Sequence, residues 1–267
     1  MKVSGKVIVV TGAGSGMGRE LALELARRGA LVAAVDVRAE SLTETAQLVT
    51  ALGGKISTHA LDITDAKSVA ALPAAVTTAL GQADGLVNNA GIIQPFVKIN
   101  ELDIADAERV MNVNFYGPLR LIKAFLPGLL TRPEAHILNV SSMGAYAPVP
   151  GQSIYGASKA ALKLMTEGLR SELLDTNVGV TVVFPGATAT NIAQNSGMKV
   201  PASSSDTASQ FPQLAADVAA RMMIDAIESN TPRITTGQDA KTMDILSRLN
   251  PVWAAGIIYK QMKSLLG

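Results

Sequence analysis

Residues 7–18 read VIVVTGAGSGMG. Val7–Val10 is a short β-branched apolar run, the pattern of a parallel strand buried on both faces. It runs straight into a glycine-rich turn. Arg19–Arg28 then sets Leu21, Ala22, Leu25 and Ala26 at helical spacing until Gly29 stops the run. Strand, glycine turn and helix make the first half of a dinucleotide site. Glycines let the backbone approach a pyrophosphate, and the helix N-terminus offers unpaired N–H groups and a positive dipole end. The spacing is not G-x-G-x-x-G, because Met17 stands where the third glycine would be. It is T-G-x-x-x-G-x-G on Gly12, Gly16 and Gly18. No Gly-Lys-Ser/Thr follows, which excludes a P-loop. An ordinary tight βα turn is a poor reading of four glycines in seven residues.

The chain continues in the same alternation. Leu31–Val35 reads as a second strand ending at Asp36, eighteen residues past Gly18. An acid about 20 residues beyond the turn is placed to take the ribose hydroxyls. With Val37 beside it, Asp36 favours NAD over NADP, since a carboxylate accepts from a 2′-OH and repels a 2′-phosphate. Arg38 is the opposing signal, because a nearby arginine accommodates that phosphate. Asp36 also suits a cap on the next helix, expected over Glu40–Leu52. Lys55–Ile63 is a third strand whose end puts Asp62 and Ile63 at the edge of an adenine. Thr64 or Asp65 then caps a helix over Ala66–Leu80 that tolerates Pro73. Gly85–Val87 begins a fourth strand closing on Asn88, Asn89, Ala90 and Gly91, small residues that again admit a ligand close to the backbone. A largely helical stretch over Ile104–Leu130 holds Asn112 and Asn114, a residue type that usually has a side-chain task inside a helix. Strands follow at His136–Val140, Val178–Phe184 and Arg233–Thr236, with a helix over Leu214–Glu228. The polar segment Asn191–Gln213 shows no period and follows a strand end, where α/β ligand sites lie. We expect a substrate lid there.

Residues 139–159, NVSSMGAYAPVPGQSIYGASK, carry the candidate chemistry. Tyr155 and Lys159 are spaced i, i+4, so a helix opening at Tyr155 sends both side chains from one face. An ammonium held near a phenol favours the phenolate and is expected to lower the tyrosine pKa from about 10. Ser142, after the fifth strand, is placed to hydrogen-bond the oxygen the tyrosine protonates. The pair alone says little, because Tyr259 and Lys263 repeat the spacing. Thirteen residues before Tyr259, however, stands Leu246, where Ser142 stands before Tyr155.

Bulk properties narrow the classes. The 267 residues are 48% hydrophobic and 17% charged, a globular composition with ample material for a core. A net charge of +1 and no basic helix or aromatic platform point away from nucleic acid. There is no cysteine, hence no disulfide and no thiolate chemistry. His59 and His136 fall inside strands without companions and read as structural, so no metal site is expected. No signal peptide or membrane span is apparent, and the expectation is a soluble, cytoplasmic protein.

Taken together, TGAGSGMG at 11–18, Asp36, Asp62, NNAG at 88–91, Asn114, Ser142, YGASK at 155–159 and PGATAT at 185–190 resemble the short-chain dehydrogenase/reductase family. The resemblance is dense over about residues 5–190 and looser to about 237. It implies an α/β fold: a single Rossmann-like domain with a seven-stranded parallel sheet and helices on both faces. It also implies reversible hydride transfer between a nicotinamide and a small-molecule alcohol or ketone. In that family pattern Tyr155 is the acid/base, Lys159 lowers its pKa and holds the nicotinamide ribose, Ser142 orients the substrate oxygen, and Asn114 holds a water in a proton relay. Gly12, Ser15, Gly16, Met17 and Gly18 form the pyrophosphate turn. Asp36 with Val37 takes the adenosine ribose, Asp62 and Ile63 flank adenine, and Asn89, Ala90 and Gly91 pass under the cofactor. Pro185, Gly186, Thr188 and Thr190 contact the nicotinamide end, Thr188 standing where the family often has Val or Ile. Ile92, Ile93, Phe96, Met143, Tyr146, Val149 and Ile154 offer few charges, so an apolar substrate is expected.

The C-terminus departs from the pattern. About thirty residues follow Gly237, with a helix over Pro251–Leu266 capped by Asn250. It packs on its own domain or across a dimer in the plainer reading. In the sharper one it covers an apolar substrate or makes weak membrane-surface contact. The resemblance implies a homo-oligomer, dimer or tetramer. Two rival functions stay open: an NADP-linked carbonyl reductase using Arg38, and a regulator that senses the nucleotide without turnover.

Overall fold

The computed structural model describes residues 1–189, 192–197 and 213–262. Its centre is a seven-stranded sheet in the order β3-β2-β1-β4-β5-β6-β7. The strands are β1 Val7–Thr11, β2 Leu31–Asp36, β3 Lys55–Ala60, β4 Gly85–Asn88, β5 Ala135–Val140, β6 Val178–Pro185 and β7 Arg233–Thr236. Every pairing is parallel, from Val7 opposite Leu31 to Pro185 opposite Thr236. The helices are α1 Gly16–Arg27, α2 Ala39–Ala51, α3 Ala66–Leu80, α4 Ile104–Met111, α5 Gly117–Leu129, α6 Ser153–Glu172, α7 Ile192–Asn195, α8 Ala216–Glu228, α9 Gln238–Leu249 and α10 Pro251–Met262.

The two-residue period of β1 sorts the core into two layers. Ile8 and Val10 face Leu21 and Leu25 of α1, Leu42 and Val49 of α2, and Met223, Ile224 and Ile227 of α8. Val7 and Val9 face Val69, Leu72 and Val76 of α3 and Leu121, Ile122 and Phe125 of α5. Burial on both faces explains why β1 reads as a continuous apolar run rather than an alternating one. The expected doubly covered parallel sheet is therefore the architecture. Strand order reverses between β1 and β4, so their crossovers leave to opposite faces and open a crevice at the carboxyl ends.

Three local features bear on the site. The helical stretch from Ile104 is not uniform: Asn112–Tyr116 forms a π turn between α4 and α5. Such bulges recur at functional positions because they re-aim a side chain. Asp65 caps α3 as expected, accepting from Lys67 N and Ser68 N. The C-terminal extension is a helical pair rather than the one helix read from the sequence. Arg233 of β7 forks onto Asp244 of α9 at 2.7 and 2.8 Å, and Asn250 accepts from Trp253 N at 3.0 Å to start α10. Ala254 and Ile258 are buried, whereas Val252 and Trp253 stay exposed. No helix among the described residues is long and apolar enough to cross a membrane.

Candidate active site

The crevice is a cleft of about 590 Å³ lined by Gly12, Ser15, Gly16, Met17, Asp36, Val37, Asp62, Ile63, Asn89, Ala90 and Gly91. All of these were expected at a nucleotide. Gly18 lies beneath the turn, where a Cβ would overlap the Gly12 carbonyl and stand 2.7 Å from Asn89 Nδ2. Gly12 itself has φ +67°, which a side chain would strain. Thr11 laces this turn to the end of β4. Its hydroxyl accepts the N–H groups of Asn89 and Ala90 at 3.0 Å each, and Asn89 Nδ2 donates to the Thr11 carbonyl at 3.0 Å. The buried Asn89 Oδ1 has no hydrogen-bond partner among the described residues. A close-packed glycine cradle with a free acceptor above it fits a dinucleotide.

Asp36 is almost wholly buried. Its Oδ2 accepts from Gly14 N at 3.0 Å and its Oδ1 from Arg38 N at 3.1 Å. It does not cap α2, whose preceding residue is Arg38. The Arg38 guanidinium pairs with the Asp36 carboxylate, Nε 3.7 Å from Oδ1. It also donates to Ser15 Oγ at 3.1 Å and Asn195 Oδ1 at 2.8 Å. Asn195 donates to the same serine at 3.0 Å, so α7 is tied across the mouth of the cleft.

At the ends of β5 and β4 the other expected residues converge. Tyr155 and Lys159 occupy successive turns of α6. Ser142 Oγ and the Tyr155 ring flank Gly144, where an added Cβ would lie 3.4 Å from each. The serine favours the phenolate, but burial outweighs it and pushes the phenol above its ordinary 10. Ser142 Oγ accepts from Gly144 N at 3.0 Å, fixing the short 3₁₀ turn Met143–Ala145. Lys159 is buried, its Nζ donates to the Val140 carbonyl at 2.9 Å, and burial lowers its pKa to about 8. This reverses one expectation. In the folded chain the net shift of Tyr155 is upward rather than downward, because desolvation is the largest cause, and the Lys159 ammonium is shared with a backbone carbonyl.

Asn114 is fully buried in the π turn. Its Oδ1 accepts from Ile92 N at 2.9 Å, and its Nδ2 donates to Ile92 O at 2.8 Å and Ser158 Oγ at 3.0 Å. A Cβ added at Gly91 would lie 3.1 Å from Lys159 Nζ and 3.2 Å from Asn114 Oδ1. The glycine thus keeps open a gap reached by both side chains.

Beyond β6, Gly186 N donates to Thr236 O at 2.9 Å and Ala187 N to Asp239 Oδ2 at 2.7 Å. Pro185 ends β6, and Thr188 Oγ1 donates to Gly186 O at 3.2 Å. Thr190 and most of the expected lid lie outside the described residues. His136 donates within the core to Thr181 at 2.8 Å, and burial lowers its pKa to about 3. Among the described residues no group of three or more His, Cys, Asp or Glu is placed to hold a metal.

The sequence profile of the family described as short chain dehydrogenase matches residues 6–200. The chain belongs to the short-chain dehydrogenase family. A Mycobacterium tuberculosis protein bearing the name oxidoreductase SadH is 36% identical over 251 residues, covering 92% of this chain and 91% of its own. Among solved structures, a short-chain dehydrogenase/reductase from Burkholderia phymatum in complex with NAD superposes with TM-score 0.85 at 27% identity, over 94% of this chain and 98% of the other. A short-chain dehydrogenase from Burkholderia cenocepacia in complex with NADP does so with TM-score 0.81 at 29% identity, over 97% and 99%. This short-chain dehydrogenase is thus an oxidoreductase of a fold whose neighbours hold either dinucleotide.

The sequence reading missed several residues that build this short-chain dehydrogenase's site. Gln94 is fully buried, and its Oε1 accepts the N–H groups of Ile154 and Tyr155 at 2.8 and 3.0 Å. Gln152 Nε2 returns a bond to Gln94 O at 2.8 Å. Asn139 and Thr166 join Asn88, already read at the end of the fourth strand, in a buried chain of side-chain bonds at 2.8 and 2.9 Å between β4, β5 and α6. The available signal was a polar residue within an apolar segment, as at Gln94 between Ile93 and Pro95.

Proposed function

We propose that this short-chain dehydrogenase transfers hydride reversibly between NAD(H) and an apolar secondary alcohol or ketone. The observation that carries the reading is the grouping of Ser142, Tyr155 and Lys159 past the carboxyl end of β5: Ser142 Oγ and the Tyr155 ring flank Gly144, and Lys159, one turn on from Tyr155, reaches the Val140 carbonyl at 2.9 Å. When bound, NAD accepts or supplies the hydride at its nicotinamide ring. Gly12, Ser15, Gly16, Met17 and Gly18 hold the pyrophosphate, Asp36 and Val37 the adenosine ribose, Asp62 and Ile63 the adenine, and Pro185, Gly186, Thr188 and Thr190 the nicotinamide end.

In the reduction direction Tyr155 gives its proton to the substrate oxygen as the carbonyl carbon takes the hydride, and oxidation runs the same steps backwards. Ser142 holds that oxygen beside the phenol. Lys159 stabilises the phenolate left behind, while Asn114 and Lys159 share the gap over Gly91 through which the proton is replaced. The two hydrogen bonds that fix the Asp36 carboxylate in the cleft support NAD over NADP. Buried Ile93 and part-exposed Met143 and Ile154 support an apolar substrate. A single catalytic domain, a lid over 191–213, a homo-oligomeric state and a cytoplasmic setting complete the proposal.

The second reading, an NADP-linked reductase, has Arg38 in its favour, since its guanidinium already reaches Ser15 at the turn. The test is appearance of reduced nicotinamide from NAD and NADP across a panel of secondary alcohols. Turnover with NAD on apolar alcohols supports the proposal. Dinucleotide binding without turnover on any of them would favour a nucleotide sensor.

A further inference from the structure

Asp239 stands in the first turn of α9, in the part of the chain that follows the last strand. Its Oδ2 accepts the Ala187 N–H at 2.7 Å. A Cβ on Gly186 would overlap its carboxylate, and so would one on Gly237. The carboxylate is therefore wedged between two glycine backbones, one in the loop after β6 and one at the start of its own helix. Gly186 N also bonds Thr236 O at 2.9 Å, so the loop is held from two sides.

The next residue grips the opposite wall. Ala240 is fully buried, and its carbonyl accepts from the Tyr146 hydroxyl at 2.9 Å. Burial pushes the Tyr146 phenol well above its usual value, so it stays a donor. Its ring packs on Phe184 of β6 with centroids 5.4 Å apart. Tyr146 closes the 3₁₀ turn that begins at Ser142. One helical turn thus fastens both the Gly186–Ala187 main chain and the loop that carries Ser142.

The geometry points to Asp239 as a positioning residue for hydride transfer. It fixes the main chain at Gly186 and Ala187, where the nicotinamide end is to rest, in register with Ser142 and Tyr155. This inference rests on the hydride-transfer reading above. Without the carboxylate the Ala187 N–H loses its acceptor and the loop is held only by its main-chain bonds to Thr236 and Leu214, which leave the Ala187 peptide able to tilt, while the Tyr146 contact remains. A displacement of about 1 Å in such a support costs up to about 100-fold in rate.

The experiment compares the full-length protein with D239A, D239N and Y146F. It measures the NADH dissociation constant, single-turnover transfer from NADH and from its deuterated form, and thermal unfolding. D239A is expected to weaken NADH binding and slow transfer by roughly 10- to 100-fold, with an enlarged isotope effect as the hydride step becomes limiting. D239N keeps the shape and one acceptor oxygen and is expected to recover most of the loss. Y146F is expected to slow transfer while leaving NADH affinity near the parent value. If D239A does not fold, D239N takes its place, with a loss of several-fold in NADH affinity expected. Unchanged affinity and isotope effect with only a lower unfolding temperature would reduce Asp239 to a structural strap and overturn the inference. A parent protein that binds NADH but transfers no hydride would sink the functional reading instead, and the affinity comparison would still decide the role of Asp239.

Discussion

Gln94 Oε1 accepts the backbone N–H of Tyr155 at 3.0 Å, so a side chain from the loop after β4 caps the helix that carries the tyrosine. It takes the Ile154 N–H as well, at 2.8 Å. Helix N-termini leave such donors unpaired, and a lost cap costs about 0.5–2 kcal/mol. We expect Gln94→Met, of similar volume without an acceptor, to lose about 1–2 kcal/mol of stability. The rate constant for turnover should fall more than the Michaelis constant rises, since Tyr155 is displaced rather than removed. Denaturant unfolding and steady-state kinetics check this, and an unchanged midpoint would show that the cap carries no weight.

Lys159 sets a pH signature of stability. Its folded pKa of about 8 lies below its ordinary 10.5. Below pH 8 it is charged in both states and the full cost of burying the ammonium is felt. Between about 8 and 10.5 the unfolded chain binds more protons than the folded one, so stability rises with pH. The span corresponds to on the order of 3 kcal/mol. Tyr155, raised by burial, opposes this only above its ordinary 10, where the unfolded phenol ionises first. Lys159→Met should flatten the rise between pH 8 and 10 in urea titrations. A slope unchanged by the substitution would contradict the account.

The nucleotide preference separates two side chains. Asp36→Ala should raise the NADH dissociation constant by about tenfold or more and lower that of NADPH, because it removes both an acceptor for the ribose and a repulsive charge. Arg38→Leu should leave NADH affinity within a few-fold. A large loss of NADPH affinity in Arg38→Leu, with NADPH the tighter ligand of the parent, would reverse the assignment. Calorimetric titration with each dinucleotide reads both.

Gly18→Ala is expected to be among the most damaging single changes. Its Cβ would overlap the Gly12 carbonyl and press on Asn89 Nδ2 at 2.7 Å. Overpacking against backbone costs typically 1–3 kcal/mol, and here it also opens the pyrophosphate turn. Dinucleotide binding should fall further than the unfolding temperature does. Binding at the parent's affinity would mean that the turn does not hold the pyrophosphate.

Local patterns were legible where one physical reason acts alone. Val7–Val10 declared a buried parallel strand, and the glycines after it declared a close approach, because both follow from sterics at one place in the chain. Tyr155 and Lys159 were visible because helical spacing is local. Gln94 and Asp239 were not. Each bonds a backbone N–H about 50 or 60 residues away, and no local period records such a partner. The direction of the Tyr155 shift was misread for a related reason: spacing reveals a neighbouring ammonium, but only the folded packing reveals that the ammonium donates to Val140 and that desolvation is the largest cause acting on the phenol. Helix α9 escaped notice because its face carries Ile245 and Leu249 outward and buries only Ala240.

The central claim is that the Tyr155 hydroxyl moves the proton while a bound nicotinamide moves the hydride. Single-turnover oxidation of a secondary alcohol, following reduced nicotinamide in the parent and in Tyr155→Phe at matched dinucleotide saturation, tests it most directly. The account predicts a loss of at least about 100-fold in the transfer rate, the general acid–base contribution, with the dinucleotide dissociation constant within a few-fold of the parent. Transfer at near the parent rate in Tyr155→Phe would contradict it.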